Sequence, residues 1–111
     1  MAGAYQVVVT ERAKDDINKL LGYLLEQVSY QEAVDARRQI IDGIHQLTTM
    51  PEARSPVQEM VELTGSIVFR QIVVKKAYRI IYRIREVRKS VVVIRVIHVK
   101  RGTGYVQDAL K

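Results

Sequence analysis

Residues 67–101 read IVFRQIVVKKAYRIIYRIREVRKSVVVIRVIHVKR, and the reading of this stretch decides the fold. β-branched and aromatic residues dominate it, while Lys75-Lys76-Ala77 and Glu86-Val87-Arg88-Lys89-Ser90 interrupt it twice. The pattern predicts three antiparallel strands over about 67–74, 77–86 and 91–100. Side chains alternate across a strand. Tyr78, Ile80, Tyr82 and Ile84 therefore face one way, and Arg79, Ile81, Arg83 and Arg85 the other. One face of the sheet is expected to be apolar and the opposite face cationic. In the last strand Val91 and Val93 alternate with Val92, Ile94 and Val96, so it is apolar on both faces until Arg95, His98, Lys100 and Arg101. Such a strand belongs in the middle of a sheet, with its end emerging into solvent.

Working outward, the 111 residues make one domain over 1–111, large enough to bury a core without disulfides or a structural metal. The chain has no cysteine, which excludes a disulfide framework and a thiol nucleophile and fits a reducing cytosol. The N-terminus MAGAYQVVVTER has no basic n-region and only a short apolar run, and no stretch reaches the roughly 18 apolar residues of a membrane span. A cytoplasmic protein without membrane contact is expected. The net charge of +6 is unevenly placed. Residues 1–61 carry 6 basic residues against 9 acids, a balance of −3, and residues 62–111 carry 12 against 3, a balance of +9. Positive charge gathered on one sheet is the footprint of a polyanion binder. An acidic protein partner or a plainly solvated strand face produces the same pattern.

Upstream of the meander, Tyr5-Gln6-Val7-Val8-Val9 reads as a short strand that joins the sheet. Thr10 is placed to cap a helix over about 11–28, whose apolar stripe is Ala13, Ile17, Leu20, Leu21, Leu24 and Val28. Ser29 with Glu32 three residues on is a capping-box signature, opening a second helix over about 30–49 with the stripe Ala33, Ala36, Ile40, Ile44 and Leu47. Gly43 inside it costs about 1 kcal/mol relative to Ala. Pro51 is expected to close the helix. The short connection makes an antiparallel hairpin, packed on the apolar sheet face. Residues 51–66 lack a period and read as a loop with a helical turn near 57–63, and 102–111 as a short tail. The class is α+β, in the order β-α-α-β-β-β, an antiparallel twisted sheet with the hairpin on one face.

The chemistry is basic rather than metal-based. His45 and His98 have no partners at ligand spacing, so neither a metal nor a cofactor is expected, and Gly102-Thr103-Gly104 lacks the rest of a phosphate-binding fingerprint. The acids are expected mostly on the outer faces of the helices, and no carboxylate dyad stands out. Arg70, Arg79, Arg83, His98, Lys100, Arg101 and Tyr105 remain. Arg forks bind phosphate and stabilise the charge of a pentavalent transition state, while Tyr or His moves protons, so this set suits metal-independent chemistry at an RNA phosphodiester.

The order of elements, together with Ala13-Lys14-Asp15-Asp16-Ile17, Tyr23, Ala33, Ile44-His45-Gln46-Leu47, Pro51, Tyr78-Arg79-Ile80-Ile81-Tyr82-Arg83-Ile84 and Val96-Ile97-His98-Val99-Lys100-Arg101, resembles the RelE/ParE superfamily of toxins from type II toxin–antitoxin modules. The resemblance implies a growth-arresting toxin of a plasmid-stabilisation module, held inactive by a cognate antitoxin and reaching operator DNA only through the antitoxin complex. Two targets follow from it. The long helical hairpin is similar to ParE, which poisons DNA gyrase and cleaves nothing, and this is the reading favoured. The end of the chain is similar to RelE, the ribosome-dependent mRNA endonuclease. On the nuclease reading Arg79, Arg101, Tyr105 and His98 are the catalytic candidates, with Arg70, Arg83 and Lys100 on the RNA phosphates; the likeness itself carries Arg79, Arg101, Tyr105 and Arg70, and the rest come from the basic cluster. Tyr105 matches only if two residues are deleted before it, and Ile72 stands where RelE has a second basic residue beside Arg70. A non-toxic basic nucleic-acid-binding module is the remaining alternative.

Overall fold

The computed structural model describes residues 4–54 and 68–99. They form β1 (Gln6–Val9), α1 (Glu11–Gln27), α2 (Tyr30–Gln46), a 3-10 turn (Pro51–Ala53), β2 (Phe69–Val74), β3 (Tyr78–Arg85), a second 3-10 turn (Glu86–Arg88) and β4 (Ser90–His98). The α+β class and the β-α-α-β-β-β order are as the periodicities predict. The expected turn near 57–63, the expected end of the last strand at Lys100 and the tail after Arg101 lie outside the described residues. Among the described residues no helix is long and apolar enough to cross a membrane.

Local chemistry starts both helices. Thr10 Oγ1 accepts from the Ala13 amide at 3.1 Å, and Ser29 Oγ accepts from the Glu32 amide at 3.1 Å, each satisfying a first-turn donor that the helix cannot. The reciprocal half of the capping box is replaced, because the Glu32 carboxylate accepts from Lys75 Nζ at 2.8 Å. α2 stops at Gln46, before the expected boundary at 49, and Pro51 opens the 3-10 turn instead of closing the helix. Met50 supplies the reversal between them with φ 48°.

The sheet order is β1-β4-β3-β2, so β4 lies inside, as its two-sided apolar pattern requires. The β2–β3 and β3–β4 pairs are antiparallel, whereas β1 pairs with β4 in parallel, Val7 opposite Val91 and Val9 opposite Val93. The sheet is mixed, not wholly antiparallel. Val9 leads straight into Thr10, whose amide and hydroxyl both donate to the Val93 carbonyl, at 3.1 and 3.0 Å. β1 thus covers the first half of β4, and α1 departs across the second half.

One irregularity changes the faces. The register between β3 and β4 slips between Ile81 and Tyr82, which face Arg95 and Val93, leaving Ile94 as the extra residue. Val96 therefore joins Val91 and Val93 on the helix side, not Val92 and Ile94 as strict alternation predicts. Together with Ile80, Tyr82, Ile40 and Leu47 they form the core, which α1 covers over β4 and α2 over β2 and β3. Gly43 sits where α2 runs close against the sheet. A β-carbon there would lie 2.6 Å from Val74 Cγ1 and 3.0 Å from Ile80 Cδ1. The helix-propensity cost of this glycine is the condition for that packing distance.

Candidate functional site

The sheet register sorts the candidate residues. Arg79 lies between Val73 and Ile97, and Arg83 between Phe69 and Val92, on the face turned away from the helices. Arg70 pairs with Tyr82 and His98 with Tyr78, so these two lie on the helix side, one at each end of the sheet. Arg70 and Arg79 thus do not share a face. Arg79 is only 9% exposed, and its Nε donates to Gln71 Oε1 at 2.7 Å. Arg70 Nη1 donates to the Arg54 carbonyl at 2.7 Å, and His98 meets the Tyr78 ring edge-on with centroids 5.7 Å apart. Lys100, Arg101 and Tyr105 lie outside the described residues. The outer face is also less uniformly cationic than alternation suggests, because Phe69, Ile81 and Ile97 are buried there.

What the register brings together instead is the end of the sheet where β3 gives way to Glu86. Arg70, Arg83 and Arg85 line an open groove of about 440 Å3 there, together with Val68, Ile84, Glu52 and Glu86. Among the described residues the side chains of Arg83, Arg85 and Arg88 make no hydrogen bond or ion pair. The carboxylates are held in place. The Tyr5 hydroxyl donates to Glu52 Oε2 at 3.2 Å and reaches Glu86 Oε1 at 3.3 Å, and Lys89 Nζ stands 5.1 Å from the Tyr5 ring centroid. Burial first, and then the negative charge of Glu52 and Glu86, raise the Tyr5 phenol above its ordinary range. Beneath, the fully buried Tyr82 hydroxyl donates to the Pro51 carbonyl at 2.6 Å and fixes the 3-10 turn that carries Glu52. Burial pushes this phenol up to about 12, so it stays a donor throughout the neutral range. Sequence reasoning passed over Glu52, Glu86 and Arg88. For Glu86 and Arg88 the only signal was a break in the strand pattern, and for Glu52 the proline before it.

Two ion pairs join elements far apart in the sequence. Arg95, read as emerging from the sheet, is 5% exposed, and its Nε and Nη2 donate to the two Asp16 oxygens at 2.7 and 2.9 Å. Asp16 Oδ2 also accepts from the Val96 amide at 3.0 Å, closing the part of the β4 edge that β1 leaves open. Lys75 Nζ joins the β2–β3 turn to α2 through Glu32 at 2.8 Å and Asp35 at 3.0 Å. The hydrogen bond to Glu32, then that to Asp35, raises Lys75 from 10.5 to about 12. A raised lysine contributes stability that is fully present below 10.5 and disappears as pH rises through about 12. Asp35 is lowered chiefly by its hydrogen bond from Lys75, so its share is present above its ordinary range and disappears as pH falls through the lowered value. Urea midpoints of the native chain and of Lys75→Met are therefore expected to differ by a constant amount at neutral pH and to converge above about 12. A gap that persists there would show that Lys75 acts by packing and not by charge.

The hairpin carries a second seam besides the buried one. Tyr30, Val34 and Ile41 are exposed, Tyr30 by 72%, and with the exposed Arg37 they recur at intervals of four, three and four residues along α2. Leu25 and Val28 on α1 are likewise exposed. Spacing of this kind is what a docked helix requires.

A helical hairpin on one face of a four-stranded mixed sheet, with arginines at the far end, is the architecture of a RelE/ParE-type toxin. The family model for the ParE toxin of type II toxin–antitoxin systems, parDE, matches residues 7–102, and the chain belongs to that family. Among solved structures it is similar to a chain of the chromosomal ParDE system from P. aeruginosa, with TM-score 0.70 and 14% identity, covering 87% of this chain and 98% of that one. It is also similar to a chain of the RelBE2 toxin–antitoxin complex from Mycobacterium tuberculosis, with TM-score 0.55 and 23% identity over 86% of this chain and 98% of that one. No curated protein matches.

Proposed function

We propose that this chain is a single-domain cytoplasmic toxin that arrests growth by a non-enzymatic block of DNA gyrase and is neutralised by an antitoxin encoded beside it. The observation that carries the gyrase reading is the division of the arginines. A nuclease needs its phosphate-binding and proton-moving groups within hydrogen-bond reach of one scissile bond. Here Arg70 and Arg79 point to opposite faces, and Arg79 is buried against Gln71. The exposed seam Tyr30, Val34, Arg37 and Ile41 supports the antitoxin, as an amphipathic helix lying along α2 with an acidic side chain opposite Arg37. Operator DNA is reached only through that complex.

Induced expression of the chain alone should stop growth, and co-expression of the small neighbouring reading frame should restore it. Arrested cells should show trapped double-strand breaks and a DNA-damage response while their transcripts stay intact. Arg101→Ala should remain toxic, since no bond is cut. Transcripts with ribosome-positioned ends and no DNA breaks would overturn this reading in favour of the nuclease. In that case Arg79, Arg101, Tyr105 and His98 are the catalytic set, Arg70, Arg83 and Lys100 its RNA contacts, and losing Arg101 costs about two to three decades in rate.

A further inference from the structure

The groove at the end of β2 and β3 is bipolar. It is lined both by Arg83 and Arg85, which have no ion pair among the described residues, and by Glu52 and Glu86, tethered by the Tyr5 hydroxyl. Dense negative charge laid through it meets the two carboxylates. Among the described residues no aromatic side chain lines it, so these offer an unstacked base no platform. An extended peptide fits both charges. Arg83 and Arg85 are two residues apart on one strand and share a face, so their side chains leave the backbone about 6.8 Å apart. Two acidic residues separated by one residue on an extended peptide have the same spacing. The intervening apolar side chain faces the opposite way, and a neighbouring apolar residue can meet Val68 and Ile84. Main-chain amides of the peptide supply donors for Glu52 and Glu86.

We infer that this groove is a docking site for an extended segment of the antitoxin carrying an acid–apolar–acid triplet, held by carboxylate–guanidinium forks to Arg83 and Arg85. The occupant's identity rests on the antitoxin reading above. The recognition chemistry does not, and it is tested apart from toxicity. The purified full chain, labelled at its arginine side chains, is titrated with acetyl-Glu-Leu-Glu-Leu-amide while the Nε–Hε resonances of Arg83 and Arg85 are followed by NMR. Both are expected to shift together and to saturate. The Gln-Leu-Gln-Leu counterpart should bind at least about tenfold more weakly, the loss of charge-assisted bonds. The variant Arg83→Gln with Arg85→Gln should lose at least about the same factor and stay folded, because neither guanidinium holds the fold together. Equal binding of the glutamine peptide, or unchanged binding to the double variant, overturns the inference. So does a short DNA duplex that displaces the peptide and shifts the same two resonances at lower concentration, since the groove then serves nucleic acid. Any of these failures leaves the growth-arrest experiment unaffected, and a chain that proves non-toxic leaves the titration readable.

Discussion

Asp16→Ala is expected to cost about 3–5 kcal/mol of folding stability, the range for breaking a buried ion pair from one side. Removing the carboxylate leaves the Arg95 guanidinium, 5% exposed, without its bidentate acceptor, and leaves the Val96 amide facing α1 without its bond. Asp16→Leu combined with Arg95→Met should recover much of that loss, because neither position then carries a buried charge. Urea midpoints of the two single variants and the double variant decide the matter. A loss below about 1 kcal/mol in Asp16→Ala would mean that water reaches the pair and that it behaves as a surface bridge.

Gly43→Val should be nearly as damaging, at about 3 kcal/mol, the upper end for overpacking. Its β-carbon would stand 2.6 Å from Val74 Cγ1, and the obstructing methyl belongs to a β-branched side chain on a strand, which has little freedom to turn aside. α2 must lift from the sheet, which strains the Lys75 contacts with Glu32 and Asp35. Gly43→Ala should cost less, because alanine returns about 1 kcal/mol of helix propensity against a smaller clash. Val74→Ala in the same chain should relieve Gly43→Ala, giving a coupling of opposite sign to that of two independent core losses. Thermal midpoints that fall additively would remove the close approach as the reason for glycine at this position.

Local signals in the sequence were sufficient where the physics is local. Thr10 and Ser29 announce helix starts because a hydroxyl before an amphipathic run has first-turn amides within reach, and both accept them. β4 announces its inner position because both of its faces are apolar. What escaped depends on partners far apart in the chain. The parallel pairing of β1 with β4 joins residues some eighty positions apart, and nothing in Val7-Val8-Val9 states a direction. The extra residue at Ile94 leaves no mark on an unbroken β-branched run, yet it decides that Val96 faces the core. Asp16 looks like any acid on a helix until Arg95 is brought beside it. The arrangement of the candidate site was hidden for a similar reason. Residue types in the meander were legible, but the face each arginine occupies depends on register, and register separates Arg70 from Arg79 and groups Arg83 with Arg85.

The position of β4 also bears on how such a protein is made. It is the last described strand in the chain and lies second in the sheet, so β1 on one side and β3 on the other each lack a neighbour until it arrives. During synthesis β1, both helices and the β2–β3 ribbon leave the ribosome before the strand that joins them, and the loop closed by Val7 and Val91 is among the longest the chain can make. A ribosome that stalls before residue 90 releases a chain without the middle of its sheet, the acceptor for Thr10 or the partner of Asp16. In a chain of this toxin family the order of emergence leaves every unfinished copy without a complete sheet.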